Sequence, residues 1–296
     1  MQVQQQIDTL VVAGVGLIGG SFALALKRAG RVKTVIGVGR TLANLEKALT
    51  LGVADEISQD IAAVAHRADM VLLASPVGQM GALMAALAPG LKPGAVVTDG
   101  GSTKSDVAAL YRRHLPDHLP WCVPAHPIAG SDMSGAVAAQ YGLYENRRVV
   151  LTPLEETTPA AVEAVADLWR ACGAEIHCMD AAEHDAVFAS VSHLPHLLAF
   201  AYVDRVAAKA NAERCFDFAA TGFRDFTRIA GSHPEMWTDI SLANRDALLA
   251  ELADYRCGLD RLAALLEAGD ADGLNRLFGE ARAARTRWHQ QFLRRG

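Results

Sequence analysis

A β-branched run, Asp8-Thr-Leu-Val-Val-Ala13, leads straight into Gly14-Val-Gly16-Leu-Ile-Gly19 and then into a helix-forming segment. The spacing is G-x-G-x-x-G. Gly14 permits a tight turn, Gly16 lets backbone approach a pyrophosphate, and Gly19 allows close helix–strand packing. The first amides of the helix are then free to meet phosphate, helped by the helix dipole. Placed between a strand and a helix, the motif reads as a dinucleotide site. Its candidate contacts are Gly14, Gly16, Leu17, Ile18 and Gly19, with Ser75 and Pro76 after a later strand. The ribose is normally read at the end of the second strand, here Thr34–Val38, followed by Gly39-Arg40-Thr41. No carboxylate stands there to accept from a 2′-hydroxyl. Arg40 instead suits a 2′-phosphate, with Thr41 as a further donor, which favours NADP over NAD. The competing reading makes Arg40 a surface residue and leaves both cofactors acceptable.

Ligands of a doubly wound fold sit beyond the carboxyl ends of its strands. Two segments there are unusually polar: Asp99-Gly-Gly-Ser102-Thr-Lys104 and His126-Pro-Ile-Ala-Gly130-Ser131-Asp132-Met-Ser134-Gly135. Further along stand Ser192-His193-Leu-Pro195-His196 and Gly222-Phe-Arg224-Asp225-Phe-Thr-Arg228.

The elements that must carry these residues follow from periodicity. Residues 1–179 alternate β-branched runs with Ala/Leu-rich helical segments, as in a parallel sheet covered on both faces. The predicted strands are Ile7–Ala13, Thr34–Val38, Met70–Ala74, Ala95–Thr98, Trp121–Ala125, Arg148–Leu151 and Glu175–Cys178. Helices are expected at Leu17–Ala29, Leu42–Leu51 and Ala160–Cys172. From Asp180 the strand signal stops, and Ala181–Ala210, Trp237–Ala268 and Ala271–Leu293 read as helices. The expected architecture is an α/β Rossmann-type domain over residues 1–179 and an all-α domain over 180–296. Pro195 should free the Val191 carbonyl and bend its helix.

Composition agrees with a folded globule. Of 296 residues 51% are hydrophobic and 21% charged, which excludes disorder, collagen-like repeats and coiled-coil rods. The net charge of −5 argues against nucleic acid or an anionic membrane as partner. Thr9–Leu26 is uncharged, but Gly14, Gly16, Gly19 and Gly20 mark it as a buried strand entering a helix rather than a membrane span. Five cysteines without a Cys-x-x-Cys pair fit a reducing cytoplasm.

In their order, the glycine loop, D-x-G-S-x-K, H-P-I-A-G, S-H-L-P-H, G-F-R-D-F-T-R and Met236-Trp237 resemble the prephenate/arogenate dehydrogenase family over nearly the whole chain. The absence of an N-terminal extension for a fused chorismate mutase points to the monofunctional form. The resemblance implies oxidation of the prephenate or arogenate ring hydroxyl with hydride transfer to NADP or NAD, and loss of the ring carboxylate as CO2, in tyrosine biosynthesis. It makes His126 the proton acceptor, a role suited to histidine near neutral pH. Ser102 is expected to hydrogen-bond near His126 or the substrate hydroxyl. Arg228 takes a substrate carboxylate, and His196 contacts the far end with His193 beside it. Trp237 is carried over as a residue approaching the partner subunit's site, with core packing as its alternative, and Asp132 and Asp225 as acidic groups near the pocket mouth, with helix capping or Arg pairing as theirs.

Blander readings remain beside these. His126 can bond only to backbone, Ser102 can be a helix cap beside a Thr103-x-x-Asp106 capping box, and Arg228 can belong to an ion-pair face with Arg224 and Asp225. His193 and His196 share a helical face, but no H-E-x-x-H pattern or third ligand accompanies them, so no metal is expected. Two other functions compete. A β-hydroxyacid dehydrogenase needs a lysine in its helical domain, and the sole lysine after Lys104 is Lys209. A non-catalytic dinucleotide sensor needs the glycine loop without the His/Ser/Arg set. The long apolar helices of the second half imply a homodimer.

Overall fold

The computed structural model describes residues 6–130, 133 and 135–293. Six parallel strands form the main sheet: β1 (Ile7–Ala13), β2 (Val32–Val38), β3 (Glu56–Ser58), β4 (Met70–Leu73), β5 (Val96–Asp99) and β6 (Cys122–Val123). Their spatial order is β3-β2-β1-β4-β5-β6, with the winding reversed between β1 and β4. A parallel sheet is buried on both faces, and β1 shows why its run is continuously apolar. Leu10 and Val12 enter the cluster containing Phe22 and Trp169, while Val11 and Ala13 enter the cluster containing Met80 and Tyr111. The side-chain period of two thus feeds two cores from one strand.

The crossover helices are α1 (Leu17–Arg28), α2 (Leu42–Thr50), α3 (Ala62–Ala65), α4 (Val77–Leu87) and α5 (Ser105–His114). A smaller sheet holds β7 (Ala125–Pro127), β8 (Arg148–Leu151) and β9 (Glu175–Cys178), with β7 antiparallel to β8 and α6 (Pro159–Ala171) between β8 and β9. The expected strand Trp121–Ala125 is therefore two strands. Pro124 has no N–H for a ladder, and the chain changes sheets there. The short strand β3 went unforeseen, because Glu56-Ile-Ser58 is half exposed and has no apolar run.

The expected single helix 181–210 is divided into α7 (Ala181–Phe188), a π turn at Ala189–His193 and α8 (Leu194–Ala207). The wide turn lies immediately before Pro195, whose missing amide prevents a regular bond to the Val191 carbonyl. By length and composition residues 181–207 are apolar enough to cross a membrane. They nevertheless carry His184, Asp185, His193 and His196. After α9 (Ala212–Asp217) and α10 (Thr221–Thr227) comes α11 (Pro234–Ala243), separated at Asn244 from α12 (Arg245–Glu267).

By packing, residues 1–245 form one compact unit and 246–296 a second. The second consists of most of α12 followed, across a short turn, by α13 (Ala271–Leu293). Gly269, at φ +61°, closes α12: its amide donates to Leu266 O (3.2 Å) and that of Asp270 to Leu265 O (3.0 Å). This is the left-handed glycine stop that leaves few helix-end carbonyls unpaired. Asp270 Oδ1 then accepts from the Gly273 amide at 2.8 Å and caps α13.

Candidate active site

The glycine loop lies at the winding reversal, where the end of β1 faces the end of β4. Gly14 has φ +103°, and a Cβ there would sit 2.5 Å from the Ala74 carbonyl oxygen. At Gly19 a Cβ would collide with the Gly14 carbonyl oxygen and reach 2.6 Å from Val12 Cγ1. At Gly16 it would meet nothing within 4 Å. Protein packing thus excludes side chains at Gly14 and Gly19, whereas Gly16 opens onto free space. No side chain caps α1 and no acid stands in its first turn, so its first amides are available to an anion. Leu17 and Ile18 open the helix half-buried, and Tyr144 Oη donates to the Ile18 carbonyl at 2.6 Å. Ser75 and Pro76 face this loop from the end of β4, with Pro76 at the N-cap of α4. Arg40 and Thr41 are exposed beyond β2. The Arg40 carbonyl accepts from Gln59 Nε2 (2.7 Å), but its guanidinium has no partner among the described residues. These features fit a dinucleotide-binding loop, whose free helix amides and open Gly16 would suit a pyrophosphate.

His126 stands at the start of the second sheet, paired in register with Val150. Its Nδ1 is 2.8 Å from His184 Nε2, and His184 Nδ1 is 2.8 Å from Asp185 Oδ1. Asp185 also accepts from the backbone amides of Lys104 (Oδ1, 2.8 Å) and Ser105 (Oδ2, 2.8 Å). The Phe188 ring packs against both imidazoles, 4.8 Å from His126 and 4.4 Å from His184 between centroids. Beneath them Lys104 and Asp99 form a fully buried ion pair. Lys104 Nζ also donates to the Ala125 carbonyl (2.9 Å), and Asp99 Oδ2 accepts from the Ala125 amide (3.3 Å). Both backbone groups of the residue before His126 are therefore held by one ion pair. Burial, reinforced by the nearby His184, Lys104 and His193, pushes the His126 imidazole well below its usual range. It is therefore neutral and proton-accepting at pH 7.

His193, His196 and Trp237 form an adjoining aromatic group. His196 stacks on Trp237 with centroids 3.6 Å apart, and His193 meets the same indole edge-on at 6.0 Å. Asn244 Nδ2 donates to the Asp185 carbonyl (2.8 Å) and lies 3.0 Å from His193 Nδ1, which makes that nitrogen the acceptor. Burial lowers the His193 imidazole to about 4. His196 Nδ1 donates to the Ser192 carbonyl at 2.8 Å. Burial lowers its imidazole too, with the positive charge of Arg228 adding to the effect. Arg228 itself is exposed, at the turn after α10.

Several expectations change. The bond that fixes His126 comes from His184; Ser102, in the loop between β5 and α5, is not joined to it among the described residues. The Thr103-x-x-Asp106 capping box gives way to Asp185, which caps α5 from α7. The exposed ion pair of the G-F-R-D-F-T-R segment is Arg224 with Asp225 (2.9 Å). Trp237 is buried against His196, the packing that its core reading describes. No three metal-ligating side chains gather among the described residues. Ser131, Asp132 and Ser134 lie outside them. His184, Asp185, Lys104, Asp99 and Asn244 were not foreseen as site residues. The available signals were the D-x-G-S-x-K segment, which holds Asp99 and Lys104, and the adjacent His184-Asp185 pair on α7.

Comparison with known proteins agrees with this geometry. The family model for the prephenate dehydrogenase nucleotide-binding domain matches residues 22–178, and that for the prephenate dehydrogenase dimerization domain matches 180–280. The chain is 36% identical to cyclohexadienyl dehydrogenase of Zymomonas mobilis over 278 residues, covering 93% of this chain and 94% of that one. It is 38% identical to prephenate dehydrogenase of Bacillus subtilis over 280 residues, 94% of this chain and 75% of the relative. Prephenate dehydrogenase from A. aeolicus, solved with hydroxyphenyl propionate and NAD+, superimposes with a TM-score of 0.91 at 34% identity, covering 97% of this chain and 99% of that one. With both domain models matched in sequence order and these relatives aligned along nearly its whole length, the chain belongs to the prephenate dehydrogenase family.

Proposed function

We propose that the protein oxidatively decarboxylates prephenate, arogenate or both, in tyrosine biosynthesis, with NADP preferred to NAD. The observation that carries this reading is a half-buried His126, hydrogen-bonded to His184, in a chain that also presents an open glycine loop at Gly16. A bound nicotinamide would supply the acceptor for the hydride leaving the ring carbon that bears the hydroxyl. His126 Nε2 takes the hydroxyl proton as that carbon is oxidised. Loss of the ring carboxylate as CO2 returns its bonding electrons to the ring, and the proton goes back to the oxygen of the aromatic product. The proton balance closes on His126, and the protein's task is to orient and polarise. Ser102 donates to or accepts from the substrate hydroxyl, Arg228 pairs with a carboxylate, and His196, with His193 and Trp237, bounds the far end. Gly14, Gly16, Leu17, Ile18, Gly19, Ser75 and Pro76 hold the cofactor.

NADP preference rests on Gly39 in place of a carboxylate and on an Arg40 guanidinium with no partner among the described residues, with Thr41 beside it. The sensor and β-hydroxyacid readings lose ground to the family match. We place the change of domain near residues 179/180. We also take the protein for a cytoplasmic homodimer, whose second unit exposes Leu249, Leu259, Leu266, Phe278 and Phe292 for pairing. Steady-state assays offering prephenate and arogenate, each with NADP and NAD, test the whole reading. Turnover with NADP is expected; a folded protein that binds NADPH and oxidises neither substrate overturns it. Arg228→Ala should raise KM by roughly 10- to 100-fold with a smaller effect on kcat, because a charged hydrogen-bond partner of the substrate is lost.

A further inference from the structure

We infer that His184 and Asp185 are positioning residues that set the tautomer of His126, through a hydrogen-bonded chain ending on the first amides of α5. The inference rests on the proposed role of His126 as proton acceptor and adds what prepares it for that role.

The argument is a count of donors and acceptors. Asp185 receives two backbone N–H groups, from Lys104 and Ser105, and neither can reverse its direction. Burial alone would raise its carboxyl, but bonds from His184, Ser105 and Lys104 outweigh that and hold it below the usual value. Asp185 is therefore an ionised, acceptor-only group. The 2.8 Å contact from its Oδ1 to His184 Nδ1 then requires the proton on Nδ1. His184 Nε2 is left with a lone pair, and its 2.8 Å contact requires the proton of His126 on Nδ1. One arrangement satisfies every atom, and it leaves His126 Nε2 with the lone pair that a proton acceptor needs. His184 is fully buried, so water cannot rewire the chain.

The charges around His126 fit this function. Lys104, itself paired with Asp99, and the neighbouring His193 disfavour a resting imidazolium. Asp185, reached through His184, compensates the cation formed in the reaction. Phe188 lies against both rings and limits their rotation. The wiring resembles the logic of a triad, in which a buried carboxylate orients an imidazole without taking its proton.

Two variants separate positioning from simple support. His184→Gln retains a carbonyl that accepts from His126 Nδ1 and an amide that donates to Asp185. His184→Phe fills the space without either bond, and neither variant touches the cap that Asp185 places on α5. His184→Phe should lose about 100-fold in kcat, with KM for prephenate and NADPH binding nearly unchanged, whereas His184→Gln should stay within about fivefold of the parent. Nitrogen-15 NMR of the histidines in the unliganded parent protein should show His126 protonated on Nδ1 near neutral pH. A His126 protonated on Nε2, or a folded His184→Phe with parental kcat, overturns the inference. The NMR measurement needs no substrate, so it decides the wiring even if the parent oxidises neither prephenate nor arogenate, an outcome that would count against the proposed function alone.

Discussion

Around His126 the polar atoms are spent inside the protein: Nδ1 on His184, both oxygens of Asp185 on helix amides, and Lys104 and Asp99 on each other and on Ala125. Around the glycine loop the reverse holds, since Gly16 faces open space, α1 has no capping side chain and the Arg40 guanidinium has no partner among the described residues. The contrast matches the roles proposed for the two regions. A proton acceptor needs one tautomer and a suppressed resting charge before substrate arrives, which requires groups committed in advance. A phosphate site needs donors that are still unspent, and water satisfies them cheaply until the anion binds.

The contrast can be broken at several points. The largest effect should come from His126→Asn, which removes the acceptor but keeps a polar side chain of similar reach. Turnover should fall by about 10²- to 10⁴-fold with KM little changed, as steady-state kinetics would read. Parental turnover would mean that the committed region is not where the proton goes. Lys104→Met should next cost about 3–5 kcal/mol of stability in denaturant unfolding, because Asp99 is left as an uncompensated buried charge.

The committed region should also carry a pH signature. His193 titrates at about 4 when folded, against 6.5 ordinarily, so the unfolded chain binds its proton more tightly. Its contribution is full above pH 6.5 and is lost as pH falls toward about 4, a difference of up to about 3 kcal/mol. Urea unfolding near pH 7 and near pH 4 should therefore show His193→Asn losing less stability on acidification than the parent. The smallest effect belongs to the uncommitted region. Arg40→Ala should reduce the NADP-over-NAD ratio of kcat/KM by roughly tenfold and leave folding unchanged, since its guanidinium contributes one exposed charged contact.

Local chemistry made some of this legible in advance. The run Ile7–Ala13 and the loop that follows were readable because burial on two faces demands an unbroken apolar strand, and phosphate approach demands glycine. Arg148–Leu151 was readable for a similar reason, its buried Val149-Val150-Leu151 run following a polar Arg148. The π turn was half legible: Pro195 announced a lost hydrogen bond, while the form of the accommodation depended on what packs against His193 and Phe188. The stacking of Trp237 on His196 was not legible, because nothing in its own segment, Glu235-Met-Trp237, reveals a ring on another helix.

The sequence by itself determined the class of the molecule, the place of the dinucleotide loop and the set of polar segments from which a site is drawn. These depend on residue type and short spacing, and short-range sterics and periodicity act within a few residues. The tertiary structure alone decided which histidine steadies which. His126 and His184 are 58 positions apart, and Asp185 reaches the amide of Lys104 across 81. No local rule spans such distances. The partners of a buried polar group are chosen by how sheet and helix pack, and only that packing determines where the proton of His126 resides.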